Sequence, residues 1–101
     1  MSIIYSDTPG LKTSSELMHT GKCACTAFVI ITNGSANATL TLYDNTEASG
    51  TVKAKLVIPG ANLSGGRNYS KYPLKFTNGI YALLSGTGAS YIVEFFGRGD
   101  S

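Results

Sequence analysis

The side chains able to do acid, base, nucleophilic or metal chemistry are few: six carboxylates (Asp7, Glu16, Asp44, Glu47, Glu94 and Asp100), one histidine (His19) and two cysteines (Cys23 and Cys25). Asp44 and Glu47 share the stretch DNTEASG, residues 44–50, a cluster of turn-formers, and read as solvated turn-makers rather than a general acid and base. His19 lies in a polar stretch, and no serine sits in a Gly-x-Ser-x-Gly elbow. The glycine-rich stretch GANLSGGRN, residues 60–68, leads into a strand pattern and lacks a Gly-Lys-Ser/Thr ending, so it is not a phosphate cradle. In the strand-like CAC stretch, Cys23 and Cys25 would point the same way with Cα atoms roughly 6.5 Å apart. A disulfide instead needs Cβ atoms about 3.8 Å apart, so two buried free thiols are expected. A metal would need two further ligands, and His19 alone is near. The expectation is a protein that is not an enzyme and carries no cofactor or metal.

Recognition is the remaining chemistry, and six tyrosines supply most of it. Tyr69 and Tyr72 flank the loop of Arg67, and Tyr43 stands beside Asp44 at a strand end. Rim tyrosines present an apolar body and a polar tip to sugar rings or partner proteins, although Tyr is also an ordinary strand residue. Tyr43, Asp44, Arg67, Tyr69 and Tyr72 are therefore the candidate partner or glycan contacts. A second candidate closes the chain. Residues 97–101 read GRGDS, and Arg98, Gly99 and Asp100 form the tripeptide by which fibronectin-type adhesion proteins engage integrins. A chain end just after a last strand suits such a motif. Native, appended and incidental origins all remain open, and in each case residues 97–101 are expected to be a flexible tail separable from the fold.

These groups must be positioned by a small chain. A length of 101 residues fits one compact domain, and 43% hydrophobic residues without long polar tracts argue for a folded one. Charged residues are only 14%, against an ordinary share of roughly 25%, so Ser, Thr, Asn and Gly must cover the surface. Such a surface suits packing against copies of itself. The net charge is +2 and the longest basic cluster is KAK, residues 53–55, too little for a phosphate-tracking stripe, so nucleic acid is not expected as a partner. The longest apolar block, AFVII, is far short of the roughly 20 residues of a membrane helix, and no membrane partner is expected. The opening MSIIYSDTPG does not read as a signal peptide, so the Asn-x-Ser/Thr matches at Asn33, Asn37, Asn62 and Asn68 read as by-products of composition.

Short alternating or apolar runs between Gly, Asn, Asp and Pro clusters are the pattern of an all-β chain. KCACTAFVIIT, residues 22–32, predicts a central strand, and ATLTLYD puts Ala38, Leu40 and Leu42 on one face. TVKAKLVI predicts a strand with Val52, Ala54, Leu56 and Ile58 inward, stopped at Pro59 and Gly60. Residues 60–68 predict a loop, and Pro73 places YSKYPLKF at an edge or bulge. Asn78-Gly79 predicts a type I′ hairpin, and GTGA, residues 86–89, predicts another before SYIVEFF. TSSELMHTG has the look of a capping box but is too short for a stable helix, which leaves residues 1–21 as an irregular N-terminal arm with one short strand near SIIY. The fold class expected is all-β: a single antiparallel β-sandwich, jelly-roll or Ig-like, of seven to eight strands over residues 22–96.

The stretch LTLYDNTEASGT, followed about twenty residues on by YPLKFTNGIYALLSGTGASYIVEF, resembles small β-rich proteins encoded by tailed-phage and prophage genomes. The likeness covers residues 22–96 and rests on turn and strand residues, not on a catalytic signature. It implies a virion structural component made in many copies, either a capsid decoration (cement) protein or a tail-associated adaptor. Its partners would be itself, with a trimer favoured, and capsid or tail proteins, after folding in the bacterial cytoplasm. The competing expectation is a receptor- or carbohydrate-binding module of a tail fibre that uses residues 44–50 and 60–72. An integrin enters only through the tail.

Overall fold

The computed structural model describes residues 6–7 and 10–97. Arg98, Gly99 and Asp100 lie outside the described residues, as does the strand expected near SIIY. Among the described residues nine strands form: β1 (Ser6–Asp7), β2 (Glu16–Thr20), β3 (Cys23–Ile31), β4 (Ala38–Tyr43), β5 (Val52–Ile58), β6 (Ser64–Asn68), β7 (Leu74–Phe76), β8 (Gly79–Ser85) and β9 (Ser90–Gly97). A 3₁₀ turn, Gly60–Asn62, precedes β6. The strands pair antiparallel in two sheets, the first in the order β1-β9-β3-β6 with β7 also on β3, the second in the order β2-β8-β4-β5. The fold is thus all-β and sandwich-like.

The alternation of apolar residues decides what lies between the sheets. The first sheet contributes Phe28 and Ile30 from β3 and Tyr91, Val93 and Phe95 from β9. The second contributes Ala38, Leu40 and Leu42 from β4, Leu56 and Ile58 from β5, and Ile80 and Ala82 from β8. Burying one such large side chain stabilises the fold by roughly 1.5–3 kcal/mol. In β3 the inward set changes phase, from Cys23 and Cys25 to Phe28 and Ile30, because a bulge against β9 falls between Cys25 and Ala27. A second bulge, between Leu42 and Tyr43, corrects the expectation for Val52. It pairs with Tyr43 beyond the irregularity and is 48% exposed instead of inward.

Both expected hairpins are sheet crossings. β7 belongs to the first sheet and β8 to the second, so Asn78-Gly79 carries the chain between layers. A type I′ turn needs positive φ at both central residues. Gly79 has it (φ 144°), but Leu63 is the only non-glycine with positive φ among the described residues, so Asn78 does not. The crossing is held instead by Asp44 Oδ1, which accepts the N–H groups of Thr77 and Asn78 at 3.0 and 2.8 Å, and by Gly21 N–H donating to Asn78 O at 2.9 Å. Residues 86–89 likewise join β8 to β9 across the sandwich, and β4–β5 is the one pair of consecutive strands that forms a hairpin among the described residues.

Two further segments differ from expectation. Part of the N-terminal arm, Glu16–Thr20, is β2, an edge strand of the second sheet, because pairing with β8 satisfies its backbone where a lone helical turn could not. Residues 60–68, expected as a loop, contain β6, which pairs with β3 from Ile31↔Ser64 to Ala27↔Asn68. β7 then continues along the same edge of β3, from Cys25↔Leu74 to Cys23↔Phe76. Residues 69–73 are a lateral excursion from one interrupted edge strand, and Pro73 sits where that edge resumes, as its missing N–H requires.

Candidate partner-binding surfaces

The structure separates the residues that the sequence grouped. Asp44 is a latch between the β4–β5 loop and the β7–β8 crossing, with its carboxylate taken up by the two backbone amides of Thr77 and Asn78. Glu47 accepts a hydrogen bond from the Ser49 hydroxyl at 3.1 Å, within its own loop. Tyr69 is half-buried, its ring centroid 6.3 Å from that of Phe28, and packs on the core. Tyr72 is 77% exposed, with Lys71 Nζ 5.7 Å from its ring centroid. The exposed Arg67 donates to the carbonyl of Gly66 at 3.3 Å.

The two loops that a binding module was expected to use lie apart. Residues 44–51 join β4 to β5 at one end of the second sheet, and residues 59–63 leave β5 at the other. Residues 69–73 stand at the side, so Arg67 and Tyr72 border an edge while Tyr43 belongs to an outer face.

That outer face is what sequence reasoning missed. Register places Leu17, Tyr81, Tyr43 and Val52 in one row across all four strands of the second sheet. Leu17 and Val52, at its two ends, are exposed, and Val57 is exposed further along β5. On the first sheet Val29 and Ile31 of β3 face outward, with Ile92 of β9 opposite Val29. The signal was present in each strand as the second phase of its alternation, but a row across strands depends on register, which no local pattern displays.

The buried reactive groups are quiet. Cys23 and Cys25 are buried free thiols, and burial pushes Cys23 up to about 12 and Cys25 up to about 11 from the ordinary 9.0. Nearby Asp44 adds to the shift at Cys23, while a backbone hydrogen bond to Ala27 opposes it at Cys25. A thiol held protonated is a poor nucleophile and a poor metal ligand. Tyr91 is fully buried, donates its hydroxyl proton to Ser14 O at 2.8 Å, and is pushed up to about 12 by the same desolvation. His19 packs its ring 5.6 Å from that of Phe95. Among the described residues no three His, Cys, Asp or Glu side chains gather as metal ligands, and no helix is long and apolar enough to cross a membrane. Compared with protein-family models, curated proteins and solved structures, the chain matches none.

Proposed function

We propose that the protein is a structural component of a tailed-phage virion, a capsid decoration protein that works as a homo-oligomer, with a trimer as the favoured state. One observation carries the reading: both outer sheet faces of this low-charge sandwich bear exposed apolar side chains, Val29 and Ile31 on one and Leu17, Val52 and Val57 on the other. Apolar patches on outer faces mark surfaces that pack against other proteins. The strand order supports the jelly-roll form over the Ig form. Counting β6 and β7 as one edge, each sheet has four strands, and the chain passes repeatedly between them. Jelly rolls recur in viral capsid and lectin domains. A cement protein acts by mass action, binding the assembled lattice better than free subunits and so stabilising the lattice.

A second reading, a receptor- or carbohydrate-binding module of a tail fibre, is favoured by the exposed Tyr72 alone. Integrin adhesion through Arg98, Gly99 and Asp100 belongs to it as a property of the tail. Light scattering on the full chain, and on a chain ending at residue 97, separates the readings. A stable trimer or larger ring in both, which sediments with purified heads, is the expected outcome. A monomer that ignores heads overturns the decoration reading, and co-sedimentation with tails alone moves the protein to the tail.

A further inference from the structure

The chain contains two Asn-Gly steps, Asn33-Gly34 and Asn78-Gly79, and the fold holds them differently. Such a step carries its own nucleophile, because the main-chain nitrogen after the asparagine can reach the side-chain amide carbon, and glycine puts no Cβ in the way. Both asparagines are exposed. What separates them is how the two reacting groups are bound.

At Asn33 both groups are tied. Oδ1 accepts the amides of Ser35 and Ala36 at 2.8 and 2.9 Å, an Asx turn that fixes the side chain, and the Gly34 N–H donates to Thr32 Oγ1 at 3.2 Å. At Asn78 both are loose. Its Oδ1 accepts no hydrogen bond among the described residues, and Nδ2 has only a 3.5 Å contact with the backbone oxygen of Asp44. The Gly79 amide is equally unengaged. Gly21 N–H donates to Asn78 O, and ladder bonds fall on alternate residues, so Gly79, opposite Thr20, turns its N–H away from β2. On its other side no acceptor takes it up among the described residues. The fold also needs this glycine, because a Cβ at position 79 would collide with His19 O.

We infer that Asn78 is a site of spontaneous modification, deamidation through a cyclic imide, and that the fold protects Asn33 from the same reaction. The Gly79 nitrogen gives its proton to hydroxide and attacks Cγ of Asn78. The N–Cγ bond forms and the Cγ–Nδ2 bond breaks. The departing nitrogen takes a proton from water and leaves as ammonia, which restores the hydroxide. Water then opens the ring. Opening at Cγ leaves an aspartyl residue, and opening at the main-chain carbonyl leaves an isoaspartyl residue whose chain runs through Cβ and Cγ. One water is consumed and one ammonia released, and nothing is oxidised or reduced.

Either product loosens the β7–β8 crossing. Asn78 N–H donates to Asp44 Oδ1 at 2.8 Å, so the new carboxylate arises beside that of Asp44, and like charges repel. The isoaspartyl form also lengthens the main chain at the turn that Asp44 and Gly21 hold.

The test keeps the full chain in mildly alkaline buffer for weeks, digests it with trypsin and reads the peptides by mass spectrometry with fragmentation. Residues 76–98 carry Asn78 and residues 23–53 carry Asn33. Conversion of Asn78 at least about tenfold faster than that of Asn33 is expected, a factor set by the hydrogen bonds that must break at Asn33. In the urea-unfolded chain the two should convert at similar rates, because the difference resides in the fold. The aged protein should unfold at lower urea than fresh protein, and Asn78→Gln, whose longer side chain closes a ring slowly, should age without that shift. Faster or equal conversion of Asn33 in the folded protein, or conversion of Asn78 only in urea, overturns the inference. An unchanged urea midpoint after full conversion overturns its effect on the crossing.

Discussion

β5 and the β6–β7 edge lie on the same side of the sandwich, one closing each sheet, and they are held by different means. β5 alternates from Lys53 onward: Leu56 and Ile58 are buried against β4 and the core, while Lys53 and Lys55 face solvent and blunt the edge. β6 reads Ser-Gly-Gly-Arg-Asn and buries no side chain. It stays because its backbone bonds to β3, framed by Thr32 N–H to Leu63 O at 2.7 Å and Tyr69 N–H to Thr26 O at 2.6 Å. Its glycines permit that approach. A Cβ at Gly66 would collide with the carbonyl oxygen of Phe28, and one at Gly65 would collide with the Ile58 methyl reaching over from β5. A strand can therefore be fixed by what its neighbours bury and by how closely its own backbone comes, with no hydrophobic period of its own.

The largest test of this difference is Ile58→Ala. Ile58 is 7% exposed and serves both edges, as core side chain of β5 and as the group that fills the space above Gly65. Truncation should cost about 2–5 kcal/mol in denaturant unfolding. The solvent-facing neighbour Val57 should tolerate Ala within about 0.5 kcal/mol. Amide exchange should quicken in β6 as well as in β5. Exchange that quickens in β5 alone would show that β6 does not lean on Ile58.

The same difference explains what the sequence disclosed. Every strand with a hydrophobic period was legible, because β3, β4, β5 and β9 announce their inward faces through their own side chains. β6 was not, since its composition is that of a loop and its partner, β3, is more than thirty residues away. Asn78-Gly79 was legible as a turn but not as a crossing, because the residue that bends it, Asp44, comes from another loop. For the same reason the structural part that Asp44 plays, accepting the amides of Thr77 and Asn78, could not be read beside its expected role as a contact residue. The row Leu17, Tyr81, Tyr43, Val52 required the register of four strands before it could be seen at all.

Next in size is Gly66→Ala, whose sign distinguishes the two kinds of edge. In a strand held only loosely, Gly→Ala stabilises by about 0.4–1 kcal/mol, because the unfolded chain loses freedom. Here the new methyl meets the Phe28 carbonyl, and β6 must draw away from β3, at a cost of about 1–3 kcal/mol. Urea midpoints at constant slope measure it. A gain in stability would mean that β6 is only loosely laid against β3.

The smallest effect concerns β7, the half of that edge that does bury a side chain. Phe76 stands opposite Cys23 and Leu74 opposite Cys25, so the two thiols lie at the seam between β7 and β3. Folding holds both protons more tightly, up to about 12 at Cys23 and about 11 at Cys25 against 9.0 for an ordinary thiol. Below pH 9 the thiols are protonated in both states and this contribution is fully present. As pH rises further the unfolded chain releases protons that the folded protein keeps, so stability falls until the folded values are passed. Each thiol should remove about 1 kcal/mol between pH 9 and 10. Urea unfolding of the wild type at those two pH values, beside Cys23→Ala, measures it, because the variant should lose about half as much. Equal losses in the two proteins would assign the alkaline instability to other groups.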